Sequence, residues 1–212
     1  MKNHVILFCV VANMLTIIAL KAQTETDVFN AIHRNDWEQV RIFIEQQTLL
    51  VNAQDRNGAS PLMWATYKAD LETAKWLLNK EADPNLNGAI YFNLPRDSSY
   101  YGSLLAIAAA EDKFDMLQFF VEELRLDVNE KEWNPKTQQK DGWNALEWAC
   151  NNGNLSIAKY LINKGADPNL NKVYSLSLAV INKNYDVTKF LLSEWKDVDL
   201  ENVSATALLL GA

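Results

Sequence analysis

A six-residue segment occurs twice in identical form, as Ala82–Asn87 and again as Ala166–Asn171. Each copy closes a unit that starts at a glycine-containing turn and continues through two stretches of apolar periodicity. The earlier unit begins near Gly58 and the later one near Gly142. Self-similarity at intervals of roughly 30 to 45 residues is typical of a solenoid, in which each unit buries its apolar face against its neighbours. The sequence therefore directs the search for function to an extended surface rather than to a catalytic pocket.

The apolar residues of the earlier unit predict two short helices. The first stretch contains Leu62 and Ala65, and the second contains Leu71, Ala74 and Leu77. These residues recur every three or four positions, which places them on one face of each helix. A pair of such helices is too small to bury its own apolar face, so stacking against neighbouring pairs must supply the core.

Glycine and proline residues predict where the second helices end. Gly165 stands at the point where the later unit must leave its helix, and we expect a positive φ there. Pro84 and Pro168 follow within a few residues. Proline blocks helical continuation and forces the preceding residue into an extended conformation. Extended turns are therefore predicted between the helix pairs.

The combined pattern resembles the ankyrin repeat family over residues 24–212. That family has a turn with Gly, then Thr-Pro-Leu-His-x-Ala-Ala, a second Gly, an apolar helix that ends in Leu-Leu, and Gly-Ala-Asp-x-Asn. The matching segments are Ser60–Thr66 and Asn144–Cys150 for the first motif, Ser103–Ala109 and Tyr174–Val180 as weaker copies, and Lys164–Asn169 for the ending. No copy keeps the motif's His. The resemblance implies an all-α repeat solenoid of helix–turn–helix units joined by extended turns, which binds another protein.

The resemblance also implies about five repeats plus a C-terminal half-repeat. The predicted domain covers 23–212, with a cap at 26–53, repeats near 55–87, 88–129, 139–171 and 172–199, and a half-repeat at 203–212. The polar residues around 26–53 favour a terminal capping repeat whose outer face is exposed to solvent. Thr206–Ala212 is similar to the first helix of one more unit. We expect it to dock on the preceding repeat, and a frayed end is the alternative.

Two intervals between repeats are longer than the family period. The equivalent leucines are Leu62, Leu105, Leu146, Leu176 and Leu208, separated by 43, 41, 30 and 32 residues. The ankyrin period is about 33 residues. The extra length falls in Gly88–Tyr101 and in Glu130–Gln139. Surface turns absorb such insertions at little cost, and insertions often gather on the binding face.

Aromatic residues are concentrated in and beside these two insertions. They are Tyr91, Phe92, Tyr100 and Tyr101 in the first, and Trp133 in the second, which leads into Trp143. One interpretation is that the rings fold back on the solenoid as small packed clusters. The other is that aromatic-tipped loops project over the concave surface and contact a partner, since rigid aromatic anchors are typical of interface hot spots.

The family resemblance implies further contact residues around the turn Gly and the end of each first helix. In this chain these positions are His33, Arg34, Arg56, Asn57, Tyr67, Lys68, Ala110, Glu111, Trp143, Asn151, Asn152 and Asn182. Their charges are mixed, so they specify neither an acidic nor a basic ligand. Trp64, Trp76 and Trp148 occupy core positions of the repeat, and we expect them to pack inside rather than to contact a partner.

The first 22 residues have the layout of a secretory signal peptide. Lys2 precedes an apolar run from Val5 to Leu20, and Ala22 offers a small residue for cleavage before Gln23. The run has 16 residues, fewer than the roughly 20 that span a bilayer. We therefore expect cleavage and a periplasmic or secreted, bacterial-type protein. An uncleaved membrane anchor and a buried helix are the alternatives.

Charge and composition restrict the partner and the chemistry. The formal net charge of −7 disfavours non-specific binding to nucleic acids or anionic membranes. Beyond the leader the chain has one histidine, His33, and one cysteine, Cys150. The sequence has no Gly-rich phosphate loop, Cys-x-x-Cys pair or His-rich metal set. We expect no catalysis, no cofactor and no metal. Cys150 should behave as a buried apolar side chain, with a reactive thiol as the alternative.

Three functional hypotheses remain from the sequence. The first is an exported, monomeric module that binds another protein through its concave face and its long inter-repeat loops. A narrower form is a periplasmic immunity factor, inhibitor or protective factor for a toxin or an enzyme. The third, from a different class, is a structural module of an envelope assembly. The sequence does not identify the partner.

Overall fold

The computed structural model describes residues 24–68, 70–91, 100–170 and 174–194. The predicted leader, Phe92 and the predicted half-repeat at 203–212 lie outside the described residues. Within them the chain forms consecutive pairs of short antiparallel helices joined by turns, which confirms the predicted all-α repeat fold. The chain divides into two compact units between Asp83 and Pro84.

The first unit contains two helix pairs and a 3₁₀ turn. Its elements are α1 (24–33), α2 (Trp37–Gln46), a 3₁₀ helix (Thr48–Asn52), α3 (Pro61–Lys68) and α4 (Leu71–Asn79). The side chains of Asp36 and Asp70 accept hydrogen bonds from the first turns of α2 and α4, so each second helix begins at an N-cap. Ile44, Leu62 and Leu77 are fully buried between the helices.

The second unit contains three helix pairs and two short β-ladders. Its elements are β1 (Ile90–Tyr91), β2 (Tyr100–Tyr101), α5 (Leu104–Ala110), α6 (Phe114–Glu122), β3 (Trp133–Asn134), β4 (Gln139–Lys140), α7 (Ala145–Asn152), α8 (Leu155–Asn163), α9 (Tyr174–Ile181) and α10 (Tyr185–Glu194). The first helices α5, α7 and α9 pack side by side, and α10 contacts α8. Leu105, Leu146 and Phe120 lie in the resulting core without solvent exposure above 1%.

Two or three residues beyond the end of α4, α6 and α8, the backbone adopts a left-handed conformation. Gly165 has a φ of 92°, which confirms the expectation from its sequence position, while Glu81 and Arg125 take φ values of 68° and 55° at the equivalent points. Glycine adopts this conformation without steric cost, whereas a residue with a Cβ meets a penalty of roughly 1–2 kcal/mol. Arg125 therefore stands where glycine is the favoured residue.

An asparagine clip joins successive turns within each unit. The side chain of Asn52 donates to the carbonyl of Glu81 over 3.0 Å and accepts from the backbone N–H of Asp83 over 2.7 Å. Asn129 makes the same pair of bonds, at 3.1 Å to the Gly165 carbonyl and 2.8 Å from the Asp167 N–H. Each clip holds the start of one copy of the repeated hexapeptide. The sequence identity of the two copies thus corresponds to an identical structural role.

Both insertions form β-hairpins, which the sequence did not predict. Ile90 pairs with Tyr101 in one ladder, and Trp133 pairs with Lys140 in the other. Gly102 joins the two insertions, because its carbonyl accepts from the Trp133 N–H at 3.2 Å. A Cβ at Gly102 would lie 2.3 Å from the Trp133 carbonyl oxygen. Only glycine permits this close approach.

Candidate functional site

Three of the predicted contact residues in the first unit surround one indole ring. The His33 ring meets Trp64 edge-on with centroids 4.9 Å apart, and Tyr67 does so at 6.1 Å. The ammonium group of Lys68 lies 5.2 Å from the centroid of the same ring. Edge-to-face rings and a cation over an indole are both favourable arrangements. We call His33, Trp64, Tyr67 and Lys68 the Trp64 cluster.

Asp55 holds Trp64 in place from the preceding turn. One carboxylate oxygen accepts from the indole N–H of Trp64 at 3.1 Å. The other accepts from the backbone N–H groups of Asn57 and Ala59 at 2.8 and 3.0 Å. The turn that carries Arg56 and Asn57 is therefore fixed to the cluster by one side chain. Arg34 lies exposed just beyond α1.

Trp64 is the residue of this site that sequence reasoning missed. Its repeat position predicted a core side chain, and it is indeed only 8% exposed. Its ring nevertheless forms the platform on which His33, Tyr67 and Lys68 are arranged. The sequence signal was Asp55 in the turn before it, a hydrogen-bond acceptor that a purely apolar Trp does not need.

The charges of the Trp64 cluster influence each other. Loss of hydration lowers the pKa of His33 below its ordinary 6.5; the charges of Lys68 and Arg56 lower it further, and Asp55 opposes them. Burial also lowers the pKa of Lys68. The Lys68 ammonium donates to the carbonyls of Ile32 and His33 at 3.5 and 3.2 Å. Lys68 thereby caps the carboxyl end of α1, where carbonyls lack helical partners.

Asparagine side chains have the same capping role in the second unit. Asn152 donates to the Ala110 carbonyl at 2.9 Å, across from α7 to α5. Asn182 donates to the side chain of Asn151 at 3.1 Å, and Asn151 donates to that of Asn152 at 2.8 Å. Asn184, which the sequence did not single out, donates to the Cys150 and Asn151 carbonyls at 2.8 Å each. Of the predicted contact residues in this unit, Asn151, Asn152 and Asn182 thus form one hydrogen-bonded row with Ala110, which we call the asparagine row. Glu111, next to Ala110, is half-buried.

Two predicted core tryptophans are only half-buried. Trp76 lies between Arg41 and Lys80, whose charged groups are 5.1 and 5.8 Å from its ring centroid. Trp148 stacks obliquely on Trp143, with centroids 4.7 Å apart. Both rings are therefore less enclosed than Trp64, and the expectation that neither contacts a partner stays a prediction.

The bases of the two insertions are packed, whereas the β3–β4 turn is exposed. Trp133 and Tyr91 are half-buried, and residues 136–141 are exposed. Tyr100 and Tyr101 contribute their backbone to the β2 ladder. The half-burial of Tyr91 and Trp133 fits the interpretation that rings fold back on the solenoid, and the exposed residues 136–141 include no aromatic side chain. Contact of either insertion with a partner stays a prediction.

A buried carboxyl group lies where the insertions meet. Glu132 is 2% exposed. Its carboxylate accepts from the Gly102 N–H at 3.0 Å, and its backbone exchanges hydrogen bonds with Trp143 and Gly142. Burial raises the pKa of Glu132 from 4.5 to about 8, and the nearby charge of Glu147 adds to the increase. Sequence reasoning missed Glu132, because its burial follows from pairing between distant segments.

Glu147 is buried for a different reason. It completes a capping box at the start of α7, where its carboxylate accepts from the Asn144 N–H at 2.7 Å and the Asn144 side chain accepts from the Glu147 N–H at 2.9 Å. Cys150, one turn later, is fully buried, and burial raises the pKa of its thiol. The expectation of a buried apolar cysteine is confirmed.

The described residues contain no group of three or more His, Cys, Asp or Glu side chains that could hold a metal ion. In the same part of the chain, no helix has the length and apolar character required to cross a membrane.

The family model for ankyrin repeats matches residues 8–88 and 105–202 in three copies. The chain belongs to the ankyrin repeat family. Ankyrin repeats are a protein-interaction module, so this fold implies binding to another protein. The match begins at residue 8 and so overlaps the predicted leader.

Related ankyrin proteins are much longer than this chain. An ankyrin repeat protein of Acanthamoeba polyphaga mimivirus is 24% identical over 210 residues, which cover 90% of this chain and 25% of that protein. An alpha-latrocrustotoxin of Latrodectus tredecimguttatus is 30% identical over 54% of this chain and 7% of its own length. An ankyrin repeat and SAM domain-containing protein of Rattus norvegicus is 24% identical over 68% of this chain and 11% of its own length. The chain therefore spans a quarter or less of these relatives, and their viral and animal sources give no support to a bacterial-type origin.

Proposed function

We propose that this ankyrin repeat protein captures another protein on the surface formed by the Trp64 cluster and the turn of Arg56 and Asn57. The observation that carries the proposal is the assembly of His33, Tyr67 and Lys68 around one anchored indole ring. His33 comes from α1, whereas Tyr67 and Lys68 lie one turn beyond Trp64 on α3, so the cluster joins two helices. Tryptophan and tyrosine are enriched among the side chains that dominate binding energy at protein interfaces.

The rigidity of the surface supports the proposal. Trp64 is hydrogen-bonded to Asp55, and Lys68 is bonded to two carbonyls at the end of α1. Side chains that are already ordered lose little conformational entropy when a partner binds. Arg34, Arg56 and Lys68 give the surface a local positive charge, which favours a partner that presents carboxylates beside an apolar residue.

Trp143, the asparagine row and the exposed tip at 136–141 form a second contact area in this proposal. Trp143 keeps part of its ring in solvent and is held against Trp148. The row of amides offers hydrogen-bonding groups of fixed geometry. An aromatic anchor next to ordered polar groups is a usual composition for an interface core and its rim.

The test is affinity capture with the tagged protein from an extract of its native cell. The Tyr67→Ala/Trp143→Ala double variant is run in parallel, and the Leu49→Ala/Leu192→Ala variant serves as a control because both leucines are exposed outside these areas. One dominant protein captured by the wild type and the control but lost from the Tyr67/Trp143 variant would support the proposal. Equal capture by all three would overturn the surface assignment. An enzyme or toxin that loses activity when captured would specify the inhibitor or immunity role.

We further propose that the protein is exported through residues 1–22 and acts in the periplasm or outside the cell as a monomer. The support is the order of Lys2, the apolar run and Ala22 in the sequence. Cell fractionation followed by mass spectrometry of the intact protein tests this directly. A mature chain that begins at Gln23 in the exported fraction is expected. A full-length chain confined to the cytoplasm would contradict it.

A further inference from the structure

A groove of about 550 Å³ crosses the turns that follow the second helices of the second unit. Leu124 and Leu126 line it from the turn after α6, and Leu170 lines it from the turn after α8. None of its lining residues belongs to the set predicted to bind a partner. The groove is a separate surface from the one proposed above.

The floor of the groove is apolar and open to solvent. Leu124 and Leu126 are half-buried, Leu170 is exposed, and Pro84 adds a further apolar face. Apolar side chains gathered in a surface depression are removed from water when an apolar group enters it. Exposed apolar patches with a polar rim commonly mark binding sites for peptides or proteins.

The free charge on the rim is positive. Lys140 pairs with Glu130, and one Asp127 oxygen accepts from the Asn129 N–H at 2.9 Å. Within the described residues, the side chains of Arg125 and Lys131 make no hydrogen bond or ion pair. The ionisable residues that line the groove are three cations, Arg125, Lys131 and Lys140, and two anions, Asp127 and Glu130, so its rim has a net positive charge in a chain whose net charge is −7.

Arg125 has a left-handed backbone, as do its counterparts Glu81 and Gly165. Arg125 has a φ of 55°, whereas Gly165 occupies the equivalent point after α8. A Cβ at Gly165 would meet nothing within 4 Å. Steric crowding therefore does not explain why one repeat has glycine at this point and the other has arginine. An arginine is therefore held at the rim in a conformation that glycine adopts more readily.

We propose that this groove binds an acidic peptide segment of another protein, with apolar side chains on the leucine floor and carboxylates against Arg125 and Lys131. Arg125 forms the planar bidentate hydrogen bonds that a carboxylate accepts, and Lys131 supplies a second charge. The three leucines select for a segment that alternates acidic with apolar residues. The proposal goes beyond the Trp64 cluster and does not depend on it.

Fluorescence anisotropy with defined peptides tests the proposal. The probe is a short fluorescein-labelled peptide that repeats Glu-Glu-Leu, and saturable binding that weakens with added salt is expected. One comparison peptide replaces Glu with Lys, and another replaces Leu with Ser. Both should bind much more weakly. Equal binding of the Lys peptide would overturn the charge assignment, and equal binding of the Ser peptide would overturn the apolar floor.

Variants then assign the binding to the groove. Arg125→Gln/Lys131→Gln should weaken binding roughly tenfold, as expected for the loss of two surface ion pairs. The matched control is Lys159→Gln/Lys189→Gln, which removes two exposed charges from α8 and α10 and should leave affinity unchanged. Equal losses in the two variants would show attraction to net charge alone and reject the groove.

A third variant separates binding from folding. Arg125→Gly relieves the left-handed backbone, so its thermal midpoint should equal or exceed that of the wild type while peptide affinity falls. Peptide affinity unchanged in Arg125→Gly and in the double Gln variant would contradict the proposal. The peptide experiments use defined synthetic probes and variants of the groove alone. Their outcome can therefore be distinguished from the outcome of the affinity capture, which tests the Trp64 cluster.

Discussion

Gly102 donates its backbone N–H to the carboxylate of Glu132 over 3.0 Å, across 30 residues of sequence. The bond joins the β1–β2 hairpin to the β3–β4 hairpin at a point that water does not reach. Two insertions that interrupt the repeat period at different places therefore share one structural base. The consequences for pH dependence and for packing follow from this pair.

Stability should fall as pH rises through the range in which Glu132 is protonated only in the folded state. Burial raises its pKa from 4.5 to about 8, so between these values the folded state holds one proton more than the unfolded state. The free energy of unfolding then decreases with pH, at up to about 1.4 kcal/mol per unit. Urea unfolding at several pH values measures the slope. Glu132→Gln should flatten it over this range, and an unchanged slope would contradict the assignment.

Gly102→Ala should destabilise the second unit by roughly 1–3 kcal/mol, as is typical of overpacking. The new methyl group would lie 2.3 Å from the Trp133 carbonyl oxygen, so β3 must move. Hydrogen exchange followed by mass spectrometry should show faster exchange at Trp133 and its neighbours. Gly165→Ala is the control, since it adds backbone strain without a clash. Faster exchange of β3 in both variants would argue against a specific contact.

Asn129→Ala should lower stability by about 1–3 kcal/mol, because it removes two hydrogen bonds worth about 0.5–1.5 kcal/mol each. The bonds join Asn129 to the Gly165 carbonyl and the Asp167 N–H. Chemical unfolding measures the change. Asn163→Ala, at an exposed helix end, should shift stability by less than about 0.5 kcal/mol. Similar losses in the two variants would show that the clip contributes nothing of its own.

The His33 titration should have its midpoint below 6.5, because loss of hydration and the Lys68 charge both disfavour the protonated ring. Proton NMR of the imidazole resonance measures it. Lys68→Gln should raise the midpoint, since it removes one of the repelling charges. A midpoint that is unchanged in this variant would place Lys68 away from His33 in solution and weaken the Trp64 cluster.

Cys150 should resist thiol reagents in the native protein. It is fully buried, and burial raises the pKa of its thiol, so both access and thiolate content are low. Labelling with a disulfide reagent should follow the rate of unfolding and become rapid in denaturant. Fast stoichiometric labelling of Cys150 in the folded protein would instead indicate a reactive thiol.

The helical part of the fold was accessible from the sequence because its signals are local. The periodic leucines and alanines, the left-handed Gly165 and the prolines after the helices each act within one or two turns of chain. The approach of Tyr67 and Lys68 to Trp64 is also local, since they follow it by three and four residues on α3. That these residues contact a partner stays a prediction. The contact between His33 and Trp64 was not accessible from the sequence, because it joins α1 to α3 and leaves no local pattern.

The β-hairpins and the buried carboxyl were beyond sequence reasoning. Each ladder has two residues per strand, too short for the alternation that predicts a strand. Glu132 is one acidic residue in a polar stretch, and only the docking of Gly102 against Trp133 excludes water from it. Interactions between segments 30 residues apart leave no local pattern.

The asparagine clips have a bearing on how such a chain changes its length. The repeat that holds Asp83 also carries Asn85, and the repeat that holds Asp167 also carries Asn169. Each repeat thus carries a turn that is held and, two residues after its aspartate, an asparagine at the position that the clip residue Asn129 has after Asp127. A whole repeat gained or lost by duplication or deletion leaves matching ends, whereas a partial one does not. The clips between turns therefore favour the addition of whole repeats over the addition of partial ones, whatever protein the surface binds.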